Sequence, residues 1–444
     1  MDLHIIPVDE QANADKFIIF RPLAGLAFVG NRAMATLAQQ VAQASHLADV
    51  WHQSSPQAWD FLAEIGFLEP DPPAPGDQAT LFRPTMAVLL LTNQCQLRCT
   101  YCYAAAGEFP PETLTVQQGC AAIDIVCEQA QALRKTQFEI SFHGGGEPTF
   151  AWQVLQECTA YARQKPLSAR ITLTSNGVWS PRQREWILEH IDGLTLSWDG
   201  TPETQDRQRP FTSGQGSASL IRANIAELDS HHFPYGMRMT ATAPWAAFVE
   251  GVRFICAHTG CRSLQVEPSF NTQRGGHGVP AESDCLAFAE AFMAAWDIAQ
   301  AAGRRLMYSG ARLGTITPTF CLAPYDALII SPRGTLVACY EVTDPTHPLA
   351  SLSAIGRLDD GVVTLNEAAR HHLHTLMVER RQQCRDCFCY WSCAGDCYTR
   401  SLQNRPGGHL LRGPRCLLNQ TITRQRLLQV IAEGQGVWRR NAAA

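Results

Sequence analysis

The middle of the chain alternates short apolar runs with longer segments of helical periodicity. Strand-like runs lie at 86–92, 138–143, 170–175, 194–198, 235–242 and 263–268. Helix-length segments lie between them, among them 115–133, 151–163, 216–229 and 282–301. Repeated strand-then-helix units are typical of a parallel sheet with helices outside it, so we predict an α/β fold with a partial (β/α)6 barrel over residues 77–312. In such barrels the chemistry lies on the loops that follow the strands.

The first 76 residues have a different pattern, with short strands followed by helices. The strands are expected at 3–8, 17–22 and 26–30. Asn31 is suited to cap a first helix, and Ser55 with Pro56 to begin a second one. The segment EPDPPAPG at 69–76 is rich in proline, which excludes both helix and central strand, so we expect a linker there. Residues 1–76 are therefore predicted to form a small α+β domain that ends in this linker.

Residues 313–444 break the alternation. They are richer in Cys, Gly and Pro, and their periodicity is weak apart from a final helix expected from about Thr421 to Glu433. We predict that they form a third, Cys-rich domain.

Composition narrows the classes of function. The net charge of −5 and the pI of about 6.3 give no basic surface, so nucleic-acid binding is not expected. The N-terminus MDLHIIPVDE lacks the features of a signal peptide, and the apolar runs are too short to span a membrane. We therefore predict a cytoplasmic protein without membrane contact. Thiols stay reduced in that compartment, and Cys patterns there more often indicate metal binding or catalysis than disulfides.

The loop after the first barrel strand reads LLLTNQCQLRCTYCYAAAGE and contains a C-x3-C-x2-C motif. Its thiols are Cys95, Cys99 and Cys102. Three thiolates this close could hold three irons of a four-iron cluster and leave the fourth iron open to a chelating ligand. Taken alone, the motif could equally be half of a zinc site.

This motif, with the aromatic Tyr101 before its last Cys, resembles that of the radical SAM superfamily. The resemblance implies that S-adenosylmethionine (SAM) chelates the open iron of a [4Fe-4S] cluster through its amino and carboxylate groups. It also implies that an electron from the cluster cleaves SAM to a 5′-deoxyadenosyl radical, which abstracts hydrogen from a substrate. The cofactor would carry the difficult chemistry, and the protein would supply orientation and a closed site.

Further motifs match this family in the expected order. HGGGEPTF contains the GGEP motif, whose backbone is implied to bind the SAM ammonium group. SWDGTPETQDRQR resembles S-x-D-G followed by D-x-x-R, whose Arg would pair with the SAM carboxylate. The family more often has His before that Asp, where this chain has Gln205. The resemblance thus implies a cofactor-binding set of Gly145, Gly146, Glu147, Pro148, Ser175, Asn176, Ser197, Asp199 and Arg209.

The C-terminal cysteines resemble the SPASM extension of radical SAM enzymes. The spacing C-x12-G-x4-C is followed by C-x2-C-x5-C-x3-C within CRDCFCYWSCAGDC and by one more Cys. The resemblance implies two auxiliary iron–sulfur clusters of the [4Fe-4S] type. The first would be held by Cys384, Cys387, Cys393 and Cys416, and the second by Cys321, Cys339 and Cys397. Zinc is the alternative for any C-x2-C pair.

The second of these sets has only three cysteines. Fully ligated relatives carry a fourth, about six residues after the first, where this chain has Ala327. Three explanations are open. Cys389 could turn toward the site, a ligand other than Cys or water could serve, or the site could accept a thiolate or amide of the substrate.

SPASM enzymes mostly modify peptides or proteins. The N-terminal domain resembles the winged-helix-like peptide-recognition element of ribosomal-peptide maturases, which binds a leader peptide as an added strand; a structural cap on the barrel is the alternative. The resemblance therefore implies a maturase that cross-links a ribosomally made precursor peptide by a thioether or carbon–carbon bond. Flavodoxin or ferredoxin is the expected reductant.

Other functions stay open at this stage. A peptide epimerase and a sulfatase-maturase-like enzyme are alternatives within the superfamily. Sulfatase maturases carry Asp directly after the Cys of G-x4-C, whereas Tyr340 and Glu341 follow Cys339 here, and these two are the candidate catalytic acid or base. A non-catalytic iron–sulfur electron carrier is a third class, which SAM-dependent production of 5′-deoxyadenosine would exclude.

Overall fold

The computed structural model describes residues 1–9, 15–52, 54–77, 81–271, 273–276, 279–402 and 413–440. Its N-terminal part has the three predicted strands, which are antiparallel, and the two predicted helices, with a short helix between them. These elements are β1 (His4–Pro7), β2 (Lys16–Arg21), β3 (Leu26–Asn31), α1 (Arg32–Gln43), α2 (Leu47–Trp51) and α3 (Pro56–Glu64). The side chains of Asn31 and Ser55 accept backbone N–H groups at the starts of α1 and α3, as predicted.

The partial barrel follows after the linker. Its elements are β4 (Met86–Leu90), α4 (Val116–Ala132), β5 (Gln137–His143), α5 (Trp152–Arg163), β6 (Ser168–Ser175), α6 (Pro181–His190), β7 (Gly193–Ser197), α7 (Pro202–Gln208), α8 (Ala218–Ser230), β8 (Tyr235–Ala241), α9 (Trp245–His258), β9 (Ser263–Pro268), α10 (Glu282–Ala301) and β10 (Arg305–Tyr308). The six predicted strands are β4 to β9, and each is parallel to the next. The predicted α/β barrel fold is confirmed, and β10 adds one more parallel strand at its edge.

The C-terminal part extends the same sheet on its other edge. Its elements are α11 (Ala323–Asp326), β11 (Ala327–Ile330), β12 (Thr335–Val337), α12 (Ala350–Ser353), β13 (Ala354–Asp359), β14 (Val362–Leu365), α13 (Glu367–Gln382), α14 (Tyr390–Cys393), α15 (Tyr398–Leu402), α16 (Pro414–Glu433) and β15 (Val437–Arg439). Strand β11 is parallel to β4, and β12 to β14 continue as antiparallel strands. The Cys-rich region is therefore joined to the barrel through one eleven-stranded sheet.

The two faces of the barrel strands differ in polarity. In β5, the residues Phe138, Ile140 and Phe142 are fully buried in the main apolar core between sheet and helices. The alternate residues, such as Ser141 and His143, are only partly buried and lie on the other face. The interior of the barrel is therefore polar and can receive a polar ligand.

The C-terminal helix and strand belong to the N-terminal unit as much as to the Cys-rich region. Strand β15 pairs antiparallel with β3, so the order of the small sheet is β1-β2-β3-β15. Leu427 and Ile431 of α16 pack against Ile18 and Phe20 on one face of this sheet. Helix α16 begins at Pro414, seven residues before the predicted start, because Pro is well suited to a first helical turn. No sequence signal indicated β15, which has only three residues.

None of the helices in the described ranges has both the length and the apolar character that a membrane span needs.

Candidate active site

The side chain of Arg274 holds the backbone of the Cys95–Cys102 loop in place. Arg274 donates to the carbonyl oxygens of Cys99 and Ala106, both at 2.8 Å, and pairs with Glu108. Burial, together with the neighbouring charges of Glu147, Cys99 and Cys102, raises the pKa of Cys95 to about 12. The three thiols thus lie close enough to influence one another, as a shared cluster requires.

The GGEP loop lies directly against this cysteine loop. Gly146 and Glu147 donate their backbone N–H groups to carbonyl oxygens of Thr92 and Gln94, at 2.8 and 2.9 Å. A Cβ at position 146 would lie 2.0 Å from the carbonyl oxygen of Gln94, so only glycine fits there. The glycines therefore allow the two loops to approach at backbone distance, and Pro148 begins a short 3₁₀ turn.

Glu147 is buried, and its carboxylate is fully used by the protein. One oxygen accepts hydrogen bonds from the hydroxyl groups of Ser175 and Thr149, each at 2.7 Å. The other accepts the backbone N–H of Asn176 at 2.7 Å. Burial raises the pKa of this carboxyl group, and these hydrogen bonds oppose the rise. Glu147 thus holds the loops after β5 and β6 together, and the Asn176 amide in turn lies 3.6 Å from the Cys95 sulfur.

Asp199 organises the loop after β7 in a similar way. Its carboxylate accepts hydrogen bonds from the Tyr101 hydroxyl group and from the backbone N–H of Thr240. It also lies 3.8 Å from the guanidinium group of Arg209. Gln205 accepts the backbone N–H of Asp199 at 2.9 Å, so it takes part in this loop although the family more often has His there. The aromatic residue of the cysteine motif is thereby tied to the S-x-D-G motif.

A cavity of about 350 Å³ lies between these loops and the C-terminal region. On the barrel side it is lined by the predicted residues Cys95, Cys99, Cys102, Gly145, Gly146, Glu147, Ser175, Asn176, Ser197 and Arg209. From the C-terminal region it is lined by Glu341, Asp396, Arg400 and Cys416. Pro148 and Asp199 do not line the cavity, and they act on it through their neighbours. The predicted motifs therefore converge on a single space.

Arg209 gives a direct test of whether the cavity fits SAM. Its guanidinium group is buried, and its Nε atom has no hydrogen-bond partner among the described residues. A buried donor of this kind is costly unless a ligand satisfies it. A carboxylate would do so with the planar geometry that guanidinium groups favour. The residues present thus fit the carboxylate of SAM, and the cysteine loop nearby fits a cluster.

Glu341, one of the two candidate acid–base residues, lines the cavity within an ion-pair network. Arg400 bridges its carboxylate and that of Glu267, at 3.2 and 2.9 Å. Burial would raise the pKa of Glu341, but Arg400 and Arg238 hold it below its usual value. Glu341 is therefore ionised and engaged, which disfavours a role as a proton donor.

Tyr340, the other candidate, does not line the cavity. Its ring packs against the imidazole of His143, with the ring centres 4.9 Å apart. Burial, together with the charge of nearby Arg238, lowers the pKa of His143 to about 4, so this imidazole is neutral at pH 7. His143 lines the cavity, whereas Tyr340 contacts this imidazole ring and does not line the cavity.

Sequence reasoning missed several charged residues of the cavity, among them Arg238, Glu267 and Arg400. Arg238 and Glu267 lie on β8 and β9, at positions that alternate with apolar residues, and this alternation was the available signal. Within the described part of the chain, Arg238 makes neither a side-chain hydrogen bond nor an ion pair. Arg400 gave no signal, because its partners are distant in sequence.

The predicted four-cysteine set is gathered around α16. Burial raises the pKa of Cys393, and the charges of Asp396, Cys416 and Cys387 add to the rise. Side-chain amides of Asn419 and Gln420 donate to the sulfurs of Cys393 and Cys387, at 3.4 and 3.2 Å. These sulfurs thus lie in a prepared polar environment.

The three-cysteine set also comes together. The pKa of Cys339 is raised mainly by burial and also by the charges of Cys397 and Cys321. Ala327 lies at the start of β11, buried in an apolar cluster that Cys321 also contacts. Cys389 instead neighbours Cys387 and Cys393 of the four-cysteine set. The position of Cys389 therefore disfavours it as the missing ligand of the three-cysteine set.

Among the described residues, no three His, Cys, Asp or Glu side chains are arranged around a single metal ion.

Comparisons with known proteins agree with this site. No protein-family model matches the chain. It is 32% identical over 154 residues to Fe-coproporphyrin III synthase of Methanosarcina barkeri, covering 34% of this chain and 35% of that protein. It is 25% identical over 203 residues to sporulation killing factor maturation protein SkfB of Bacillus subtilis, covering 45% and 46%. The matches thus span a third to a half of these relatives.

Solved structures match over more of the chain. The structure of anSMEcpe with bound AdoMet superposes with a TM-score of 0.64 at 16% identity, covering 79% of this chain and 99% of that chain. Streptococcus suis SuiB bound to precursor peptide SuiA gives a TM-score of 0.52 at 12% identity, covering 90% and 98%. The chain therefore shares the fold of these two structures, one of which holds bound AdoMet.

Proposed function

We propose that this chain is a radical SAM enzyme that modifies a ribosomally made precursor peptide. The reaction that we propose is the formation of a cross-link within this peptide. The observation that carries the proposal is that cysteines of two regions line one cavity. These are Cys95, Cys99 and Cys102 of the barrel and Cys416 of the C-terminal region. A substrate in this space lies between a site of radical generation and a site that can take up an electron. A non-catalytic electron carrier needs neither such a space nor Arg209.

Each part of the chain has a role in this proposal. Cys95, Cys99 and Cys102 would hold a [4Fe-4S] cluster, which with bound SAM would supply the chemistry of hydrogen-atom abstraction from the substrate. Arg209 holds the SAM carboxylate, and the loops tied by Glu147 and Asp199 fix the position of the cofactor. Arg238 offers unsatisfied donors to acceptor groups of the peptide. The sequence similarity to SkfB, a maturation protein, and the fold shared with peptide-bound SuiB support a peptide substrate.

A cross-link and an epimerisation differ in mass, which gives the first test. The reconstituted chain is incubated with SAM, a reductant and a candidate precursor peptide, and the peptide is weighed by mass spectrometry. A cross-link removes two hydrogens, so the expected result is a loss of about two daltons together with 5′-deoxyadenosine. Unchanged mass in water with deuterium uptake in D₂O would replace the cross-linking proposal by epimerisation.

The control for this test omits SAM and must leave the peptide unchanged. Absence of 5′-deoxyadenosine from protein with a full set of clusters would overturn the enzyme proposal in favour of an electron carrier. Production of 5′-deoxyadenosine with no change in any peptide would overturn the peptide proposal alone.

We also propose that the N-terminal sheet binds the leader of that peptide by strand addition. Strands β1 and β15 are the edge strands of this sheet in the described ranges. Val8 and Arg440 donate backbone N–H groups to their partners Lys16 and Gly25. Along a strand, the backbone N–H and C=O groups of successive residues point alternately toward the paired strand and away from it. The backbone groups of Ile5 and Arg439 therefore point away from the sheet, where an added strand could pair with them. Pro7 also points outward but has no N–H, which weakens the β1 edge.

Proline at Ile5 or at Arg439 therefore tests the leader site without removing a bond inside the sheet. We expect one of the two variants, Ile5→Pro or Arg439→Pro, to weaken binding of the full peptide about tenfold, because one or two backbone hydrogen bonds are lost. Binding is measured by fluorescence anisotropy, with Ile5→Val and Arg439→Lys as controls that keep the N–H. If neither proline variant changes the affinity, the leader binds elsewhere or not at all.

A further inference from the structure

Two side-chain amides on α16 face the sulfurs of the four-cysteine set. Asn419 donates to Cys393 at 3.4 Å, and Gln420 donates to Cys387 at 3.2 Å. Asn419 is 1% exposed, so its contacts are not shared with solvent. Buried polar groups must be satisfied by the protein or by a ligand, and here the sulfur atom is that partner.

The orientation of the Asn419 amide is fixed by a residue of the barrel. The Tyr308 hydroxyl group at the end of β10 donates to its oxygen at 2.8 Å. The NH₂ group must then face the sulfur, and a thiolate can only accept. Gly310 permits this approach, because a Cβ there would lie 2.2 Å from the same amide oxygen. The barrel thus orients a donor toward the cysteine site.

We infer that Asn419, oriented by Tyr308, raises the reduction potential of the cluster held by the four-cysteine set. Hydrogen bonds to cluster sulfurs stabilise the extra negative charge of the reduced state, and such outer contacts tune metal centres. The cluster becomes easier to reduce, which suits an acceptor of the electron that leaves the substrate. This inference rests on the proposed function, in which the C-terminal cysteines hold redox clusters. Asn419 and Tyr308 are positioning residues in it.

The test is a potentiometric titration of the reconstituted full chain, followed by electron paramagnetic resonance. Cys95, Cys99 and Cys102 are changed to Ala in every sample, so that only the auxiliary clusters contribute. Asn419→Leu is expected to lower the midpoint potential of one auxiliary cluster by at least 59 mV, a tenfold change in the equilibrium constant of a one-electron reduction. Tyr308→Phe, which frees the amide to turn, is expected to lower it by less.

Gln429→Leu provides the matched control, since this amide lies on the same helix but donates to Asp297 at 2.8 Å. It is expected to leave every potential unchanged. Iron is counted first in each variant. Asn419→Leu with full iron and unchanged potentials would overturn the inference. If Asn419→Leu fails to bind iron, Tyr308→Phe is used instead, and full iron with unchanged potentials in that variant would overturn the inference.

Different results would contradict the proposed function and the inference about Asn419. If the unsubstituted C-terminal cysteines hold zinc, the proposed oxidation loses its acceptor and no potential can be measured. If they hold iron and the potentials do not respond to either variant, only the role of Asn419 is wrong.

Discussion

Changing Cys95, Cys99 and Cys102 together to Ala is expected to lower the iron content from about twelve to about eight atoms per chain and to abolish formation of 5′-deoxyadenosine. The physical reason is that these thiols supply the only cluster ligands on the barrel side of the cavity, within the residues the structure describes. The two C-terminal sets lie on separate elements and keep their own thiols. The measurement is an iron and sulfide count after anaerobic reconstitution, with 5′-deoxyadenosine quantified by chromatography.

One control variant makes this result specific. Cys127 and Cys158 are buried in the apolar core between α4 and α5, so Cys127→Ala should leave the iron content unchanged. Iron of about four atoms with bound zinc in the unsubstituted protein would contradict the prediction. It would make the C-terminal cysteines structural and favour a redox-neutral reaction such as epimerisation.

Replacing Glu147 by Ala is expected to lower the free energy of unfolding by about 3 kcal/mol and to weaken SAM binding at least tenfold. The buried carboxylate accepts hydrogen bonds from Ser175, Thr149 and the backbone of Asn176, and each of these donors would be left without its partner. Affinity falls because Asn176 is no longer held beside Cys95. Urea unfolding and equilibrium dialysis of SAM measure the two effects.

Glu147→Gln separates the charge of Glu147 from its volume, and Glu157→Ala is a control on the surface. Glu147→Gln keeps the volume and one acceptor, so its loss of stability should be smaller, about 1–2 kcal/mol. Glu157 is exposed on α5, and Glu157→Ala should change stability by less than about 0.5 kcal/mol. Equal stability of Glu147→Ala and the parent protein would mean that the loops are held in some other way.

The sequence allowed prediction of features whose signals are local. The six barrel strands, the caps Asn31 and Ser55 and the two cysteine spacings each depend on residues close in the chain. The barrel then brings the loops after consecutive strands to one end, which is why motifs at Cys95, Glu147 and Arg209 meet. The order of the strands in the barrel was therefore enough to predict that these motifs lie together.

Other parts of the site could not be predicted, because they depend on contacts between distant segments. Arg400 reaches Glu267 across 133 residues of chain, and Tyr308 reaches Asn419 across 111. Neither pair lies in a recognisable motif. The ionised state of Glu341 follows from the same kind of contact, so its sequence position suggested a catalytic role that its ion pair with Arg400 disfavours.

The pairing of β15 with β3 has a consequence for how the protein is made. Residues 26–28 leave the ribosome long before their partners at 437–439, which follow α16 and Cys416 in the chain. Contacts so far apart in sequence form slowly, because a long loop must close first. The small sheet is therefore completed only after α16 and Cys416 have been synthesised. Insertion of the cluster proposed at Cys416 and closure of the small sheet thus become neighbouring events in the biogenesis of one chain.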